Sequence, residues 1–352
     1  MFSPWLQQHR IARHPAALER IRVAKARILS VLDRETVAHE KTLEQKIADQ
    51  GPSNKRVDPH LISLAIDDMR HLNRLAVHHH PATGDIPWYA NIGTSAHLVN
   101  AKLAVLAPLY HTVSNTLSNA VGDALEIATF QALKAARQTS PRYHFDGFFY
   151  LDRPKNPHGR FEQRKAPMEL HGRVTTRQPD FLQHGHDAGT LCIECKNLRE
   201  WLYPQKQLIK HHILRCNELD AIPVIVMRRI HYSTITNFLL PAGIIAHESL
   251  FQYFPSDAAE TVEAAKNKRS LGFTDLVATE DAHARTIRFF TESLPRIVAP
   301  MAEKWQRNRR ALVEYANNEM NLAQLYNAIG SRAGGKWVER GNDDAPPEFW
   351  EE

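Results

Sequence analysis

The run Leu191-Cys192-Ile193-Glu194-Cys195-Lys196 limits what this chain can fold into more than any other stretch. It is short and apolar-rich, and the turn formers Gly185, Asp187 and Gly189 precede it, which is the pattern of a buried strand. Alternation puts Leu191, Ile193 and Cys195 on one face and Cys192, Glu194 and Lys196 on the other. Upstream, Pro179 opens a second short strand whose first residue is Asp180, and an antiparallel hairpin with a long connecting loop brings Asp180 opposite Glu194. Two carboxylates and one ammonium then converge at one point.

Such a set suits phosphodiester cleavage. Mg²⁺, for which Mn²⁺ can substitute, favours a few carboxylate oxygens, keeps several waters and accepts phosphate oxygens as further ligands. The ion polarises the phosphate and acidifies a bound water, while a neighbouring lysine orients the nucleophile and offsets developing charge. The carbonyl of Cys195, between the two polar side chains, offers another hard oxygen. Burial beside a bound cation is expected to lower the pKa of Lys196, so that it serves as a base.

Pro179-Asp180 followed by Glu194-Cys195-Lys196 resembles the signature of the PD-(D/E)XK nuclease superfamily, the restriction-endonuclease-like fold. Gly122-Asp123-Ala124-Leu125-Glu126-Ile127-Ala128 fits the glutamate-bearing helix that precedes the strands in that family. The helical stretch Gln205 to Leu219 and the β-branched strand Ile222 to Met227 fit the elements that follow them. The resemblance covers residues 118–255. It implies an α/β core with a mixed central sheet and magnesium-dependent hydrolysis of DNA. Asp180, Glu194 and Lys196 would be catalytic; Asp180, Glu194, Cys195 and Glu126 would be metal ligands. Gln205 or Gln207 would position substrate or water. A restriction or defence endonuclease is the expected type, with a structure-specific resolvase, a repair nuclease or a non-catalytic DNA-binding regulatory protein as alternatives.

A chain of 352 residues suggests two or three domains. The expected division is 1–117, helical with a winged helix-turn-helix near 39–93; 118–255, the α/β core; and 256–352, helical with an acidic tail. No run of 18 apolar residues spans a bilayer, and the N-terminus lacks a signal-peptide core, so a cytoplasmic protein is expected. Three cysteines form no disulfide framework. A net charge of +5 and a pI near 9.0 favour an anionic partner such as DNA. Two protomers are expected if both strands are cut. Without a phosphate-cradling Gly-rich loop bearing Lys and Ser/Thr, no nucleotide cofactor is expected.

Along the chain, residues 4–38 read as one helix, with Leu18, Ile21, Ala24, Ile28 and Leu32 inward and Arg20, Arg22, Lys25 and Arg27 solvated. Another helix runs from Pro59 to Ala76, with Asp58 as N-cap. The stretch Lys102 to Gln138 is helical with breaks near Pro108 and Gly122. Its Glu126 sits in an apolar face, where a buried carboxylate needs a metal or a basic partner. Tyr143 to Asp152 reads as a strand and turn, in which Asp146, followed by Gly147, is either a further ligand candidate or a turn residue. Residues 153–177 read as a basic loop whose Arg160, Arg164, Lys165, Arg173 and Arg177 are candidates for phosphate contacts. Cys192 and Cys195 point to opposite faces and make no zinc pair, and His211-His212 reads as a surface pair.

Overall fold

In a computed structural model, residues 2–9, 11, 14–49, 57–116, 118–151 and 161–330 are described. The chain divides into two compact units: Met1–Ser118 with Asp257–Leu276, and Asn119–Ser256 with residues 277–330. The stretch expected to form a separate C-terminal region is thus shared out between them. Its acidic tail, like Asp152 and Arg160, lies outside the described residues. Among the described residues no helix is long and apolar enough to cross a membrane.

The first unit is built on two packed helices, Pro15–Glu35 and Pro59–His71. Ile21, Ala24, Ile28 and Leu32 recur at helical spacing and are buried, as are Leu61, Ile62, Ala65, Ile66 and Met69 on the partner helix. The expected single helix over 4–38 is two, Pro4–Gln8 and Pro15–Glu35, the second with Pro15 in its first turn. Lys25 is buried rather than solvated. It pairs with the fully buried Asp68, which also accepts from the Ser3 backbone at 2.8 Å. The second helix ends at His71, not Ala76, because Asn73 turns to φ +50° and the chain leaves as the strand Leu75–His80. That strand pairs antiparallel with Gly84–Asn91, and Ala38–His39 joins on the far side.

The second unit carries a mixed five-stranded sheet in the order Ile245–Glu248, Ile222–Met227, Gly189–Lys196, Phe181–His186, Phe145–Asp146. The first three strands are parallel and the last two antiparallel. Ile222–Met227 is buried throughout, which explains its uninterrupted apolar sequence. One layer of the core joins Leu191, Ile193 and Cys195 to the helix Ser118–Thr139 through Leu125, Ala128 and Leu133. The other joins Cys192 and Leu182 to the helix Gln207–Leu219 through Ile209, Ile213 and Cys216. The alternation expected of the central strand is therefore the partition observed, and Cys192 and Cys195 face opposite layers.

Several boundaries differ from expectation. The strands 181–186 and 189–196 are joined by a tight turn at Asp187-Ala188 instead of a long loop, so Gly185 lies inside a strand. Its φ is +89°, and a Cβ there would come within 1.9 Å of the Arg142 carbonyl oxygen. Neither Pro108 nor Gly122 interrupts a helix: Ala96–His111 continues into a π-helical turn, Thr112–Thr116, ahead of Ser118–Thr139. The basic stretch after residue 160 contains three short strands, Phe161–Arg164, Glu169–Leu170 and Arg173–Val174.

Candidate active site

Asp180 stands one residue before the strand Phe181–His186, whose register pairs Phe181 with Ile193 and Leu182 with Cys192. One further step along that register sets Asp180 against Glu194. The Cys195 N–H donates to Asp180 Oδ2 at 2.7 Å and fixes that carboxylate beside the central strand. Glu194 and Lys196 project from the same face of the strand two residues apart. Lys196 Nζ lies 2.7 Å from Glu194 Oε1 and 3.9 Å from Asp180 Oδ2, so one ammonium bridges the two carboxylates.

Close approach of the backbone at Asp180 depends on Gly147, which separates the strands Phe145–Asp146 and Phe148–Leu151 within the expected strand and turn. Gly147 adopts φ +97°, and a Cβ would sit 2.5 Å from the Asp180 carbonyl oxygen and 2.7 Å from Phe181 Cδ1. Gly147→Ala is expected to destabilise the fold by ~2 kcal/mol or more, read as a lowered urea midpoint at unchanged slope.

From the other layer comes Glu126, on the helix Ser118–Thr139, with its Oε2 accepting from Gln163 Nε2 at 2.6 Å. Burial, then the charges of Asp180 and Asp123, push its pKa up to about 8. Burial, then Glu194, raises that of Asp180 to about 6. Glu194 behaves oppositely. Burial alone would raise it, but Lys196 and Arg215 overcome that and hold it below the usual range. Burial likewise opposes the charge on Lys196, yet Asp180 and Glu194 prevail and its pKa lies above the ordinary lysine value. In this arrangement the lysine is the counter-ion of two carboxylates, and the depression expected of it beside a bound cation is a separate matter.

Arg215, missed in the sequence, holds Glu194 from the helix Gln207–Leu219: its guanidinium donates to Glu194 Oε2, and both side chains are buried. A signal was available, since Arg215 is spaced three and four residues from the buried His212 and Leu219 and so flanks the apolar stripe of its helix. Gln163, the partner of Glu126, falls in a segment whose strand character the sequence did not display.

The remaining expected site residues lie elsewhere. Gln205 and Gln207 are exposed where that helix begins, and the helix meets the carboxylates through Arg215 instead. Arg177 is engaged by Glu218 at 2.6 Å and Arg173 pairs with Asp220 at 3.5 Å, so carboxylates at the helix C-terminus occupy both. Asp146 sits in the edge strand and pairs with His184 Nε2 at 3.0 Å. The Cys195 thiol faces the opposite layer, 3.4 Å from the Thr129 hydroxyl.

Within this cluster three carboxylates, of Asp180, Glu194 and Glu126, face two cations, Lys196 and Arg215. Burial, and after it the surplus negative charge, raises Glu126. In chemical type an all-carboxylate set suits a hard divalent cation, but these three are not among the described groups that bring one ligand atom each within 4.8 Å of one another. A pH dependence follows. The folded protein binds more protons than the unfolded chain between the ordinary carboxylate values, 4.5 for Glu126 and 3.8 for Asp180, and the raised ones of about 8 and about 6. Metal-free stability therefore falls as pH rises through that window. At pH 8.5 without metal, Glu126→Gln should be more stable than the native chain by about 2 kcal/mol, allowing for partial solvation, or about 5 °C in Tm. At pH 4 the two should coincide.

No protein-family model, curated protein or solved structure matches the chain. What the site does has to be argued from its geometry.

Proposed function

We propose that this chain is a magnesium-dependent nuclease that hydrolyses DNA phosphodiester bonds, with a restriction-endonuclease-like core of the PD-(D/E)XK type. The observation that carries the reading is the single ammonium of Lys196 bridging Asp180 and Glu194, with Glu126 held neutral beside them by burial and like charge. Supporting it is the order of elements: a glutamate-bearing helix, a hairpin that delivers Asp180 and Glu194-Cys195-Lys196, then a helix and a parallel strand.

Asp180, Glu194 and Glu126 would hold the ion. When bound, Mg²⁺ would polarise the phosphate and acidify an attacking water. The chain's own groups do the rest. The Cys195 N–H orients Asp180, and Arg215 keeps Glu194 ionised and fixed. Lys196, held protonated, orients the nucleophile and offsets charge on the phosphate as it develops. That is a charge-neutralising role, distinct from the base expected of it.

In the first unit, the order helix, strand, helix, helix, hairpin and the sheet order 38–39, 84–91, 75–80 support a winged helix. The helix Pro59–His71 presents Asp67 and Arg70, paired at 3.4 Å, and so carries little positive charge for phosphate.

One observation favours a second reading, a DNA-binding protein without activity: both oxygens of Glu194 are occupied by the chain's own cations. The test is incubation of supercoiled plasmid with the purified chain in Mg²⁺, in Mn²⁺ and in EDTA. Nicking that needs the divalent ion and is lost in Asp180→Asn supports the nuclease. A gel shift without nicking in any buffer would replace it with the binding protein.

A further inference from the structure

Behind the carboxylates, the face of the central strand that carries Glu194 meets a second group of donors that the proposed chemistry does not use. Cys192, His212 and Cys216 offer one ligand atom each, all within 4.8 Å of one another, and all three residues are fully buried. His212 corrects the expectation of a surface pair, for only its neighbour His211 is exposed. His212 and Cys216 are one turn apart on the helix Gln207–Leu219, with the sulfur 3.7 Å from Nε2 and 3.9 Å from Nδ1. Cys192 reaches the same point from the strand.

We propose that Cys192, His212 and Cys216 form a binding site for one thiophilic d¹⁰ cation, zinc(II) or copper(I), which clips the central strand to the helix behind it. Two sulfurs and an imidazole nitrogen are the three protein ligands of a Cys₂His zinc site, whose fourth position takes a water, and are soft enough for copper(I); magnesium refuses them. The imidazole is ready to coordinate. Burial holds it neutral, with its pKa pushed down to about 3, and it is hydrogen-bonded to the backbone of Val224. A backbone bond of that kind fixes the ring and frees the other nitrogen for a metal. Charge balances as well. Empty, both cysteines are thiols; a divalent ion displaces one proton from each to solvent, and two thiolates cancel its charge. Copper(I) leaves one negative charge, with Arg215 on the adjacent helix position. Cys192 and Cys216 lie next to Glu194 and Arg215 on the same two elements, so the ion would brace the pair that positions the carboxylate.

The test uses the full chain, reduced and refolded without oxygen in the presence of zinc(II) or, separately, copper(I), then desalted. About one ion per chain should remain in the native chain and in Asp180→Asn, and less than about a tenth in Cys216→Ser and in Cys192→Ser. Competition between the two ions identifies the occupant. Loading should raise Tm by about 5 °C or more, a readout available if the serine variants fold poorly. Cobalt(II) substitution should give a thiolate charge-transfer band. Folded native chain that retains neither ion overturns the proposal. So does an ion lost in Asp180→Asn but kept in Cys216→Ser, or oxidation that joins Cys192 to Cys216 in a chain that takes up no metal. None of these outcomes bears on plasmid nicking, so this site and the nuclease stand or fall separately.

Discussion

Lys196→Ala is expected to slow magnesium-dependent nicking by roughly 10²- to 10⁴-fold at saturating ion, measured in single turnover. The side chain is 2.7 Å from one carboxylate and 3.9 Å from the other, so its removal takes away the cation that both of them face. Glu194 keeps Arg215, and the folded state should survive with a Tm close to that of the native chain. Lys196→Arg restores charge without the compact ammonium, and only partial rescue is expected. The acidic limb of the activity profile should reflect the carboxylates, whose protons the ion must displace. An alanine variant that nicks at the native rate would remove Lys196 from the mechanism.

The largest stability effect is expected at Arg215. Replacing it with methionine leaves Glu194 ionised in the core with Lys196 as its one remaining cation in the cluster, and loss of one partner of a buried pair costs about 3–5 kcal/mol. For a unit of this size that is roughly 10 °C in Tm at pH 7. Adding Glu194→Gln should recover part of the loss, since the orphaned charge goes with it, and the double-variant cycle isolates the coupling. A single-variant loss under about 1 kcal/mol would mean that water reaches the pair and that Arg215 does not position the carboxylate.

Period-two alternation made the centre of the site legible in the sequence. Once Leu191, Ile193 and Cys195 were assigned inward, Glu194 and Lys196 had to share the other face, and the hairpin had to bring Asp180 to them. The strand at 222–227 was equally plain from its β-branched run. Partners supplied by long-range packing were hidden. Helical spacing hints that Arg215 flanks the apolar stripe, but its partner is hidden, because the carboxylate that offsets its charge is 21 residues upstream. Lys25 misled for the same reason, its counter-ion Asp68 lying 43 residues away on another helix. Gln205 and Gln207 rest on the family resemblance and Arg173 and Arg177 on the basic composition of residues 153–177, and exposure or carboxylates at a helix end claim them instead. Turn geometry failed where glycine acts inside a strand: Gly185 reads as a turn residue but serves a close backbone crossing.

The register irregularity between Gly189 and Leu191 determines how much the hairpin can tolerate changes in length. Residues inserted beside the exposed Asp187 enlarge the turn and leave the pairing beyond it in place, at the expense of the contact that Ala188 makes with the core. One residue gained or lost between 191 and 194 transposes those rows, sending the glutamate and lysine into the oily layer beneath the 118–139 helix and the cysteine and isoleucine toward Arg215. Between 191 and 194 an odd-numbered indel therefore exchanges the two faces, whereas the turn tolerates changes in length.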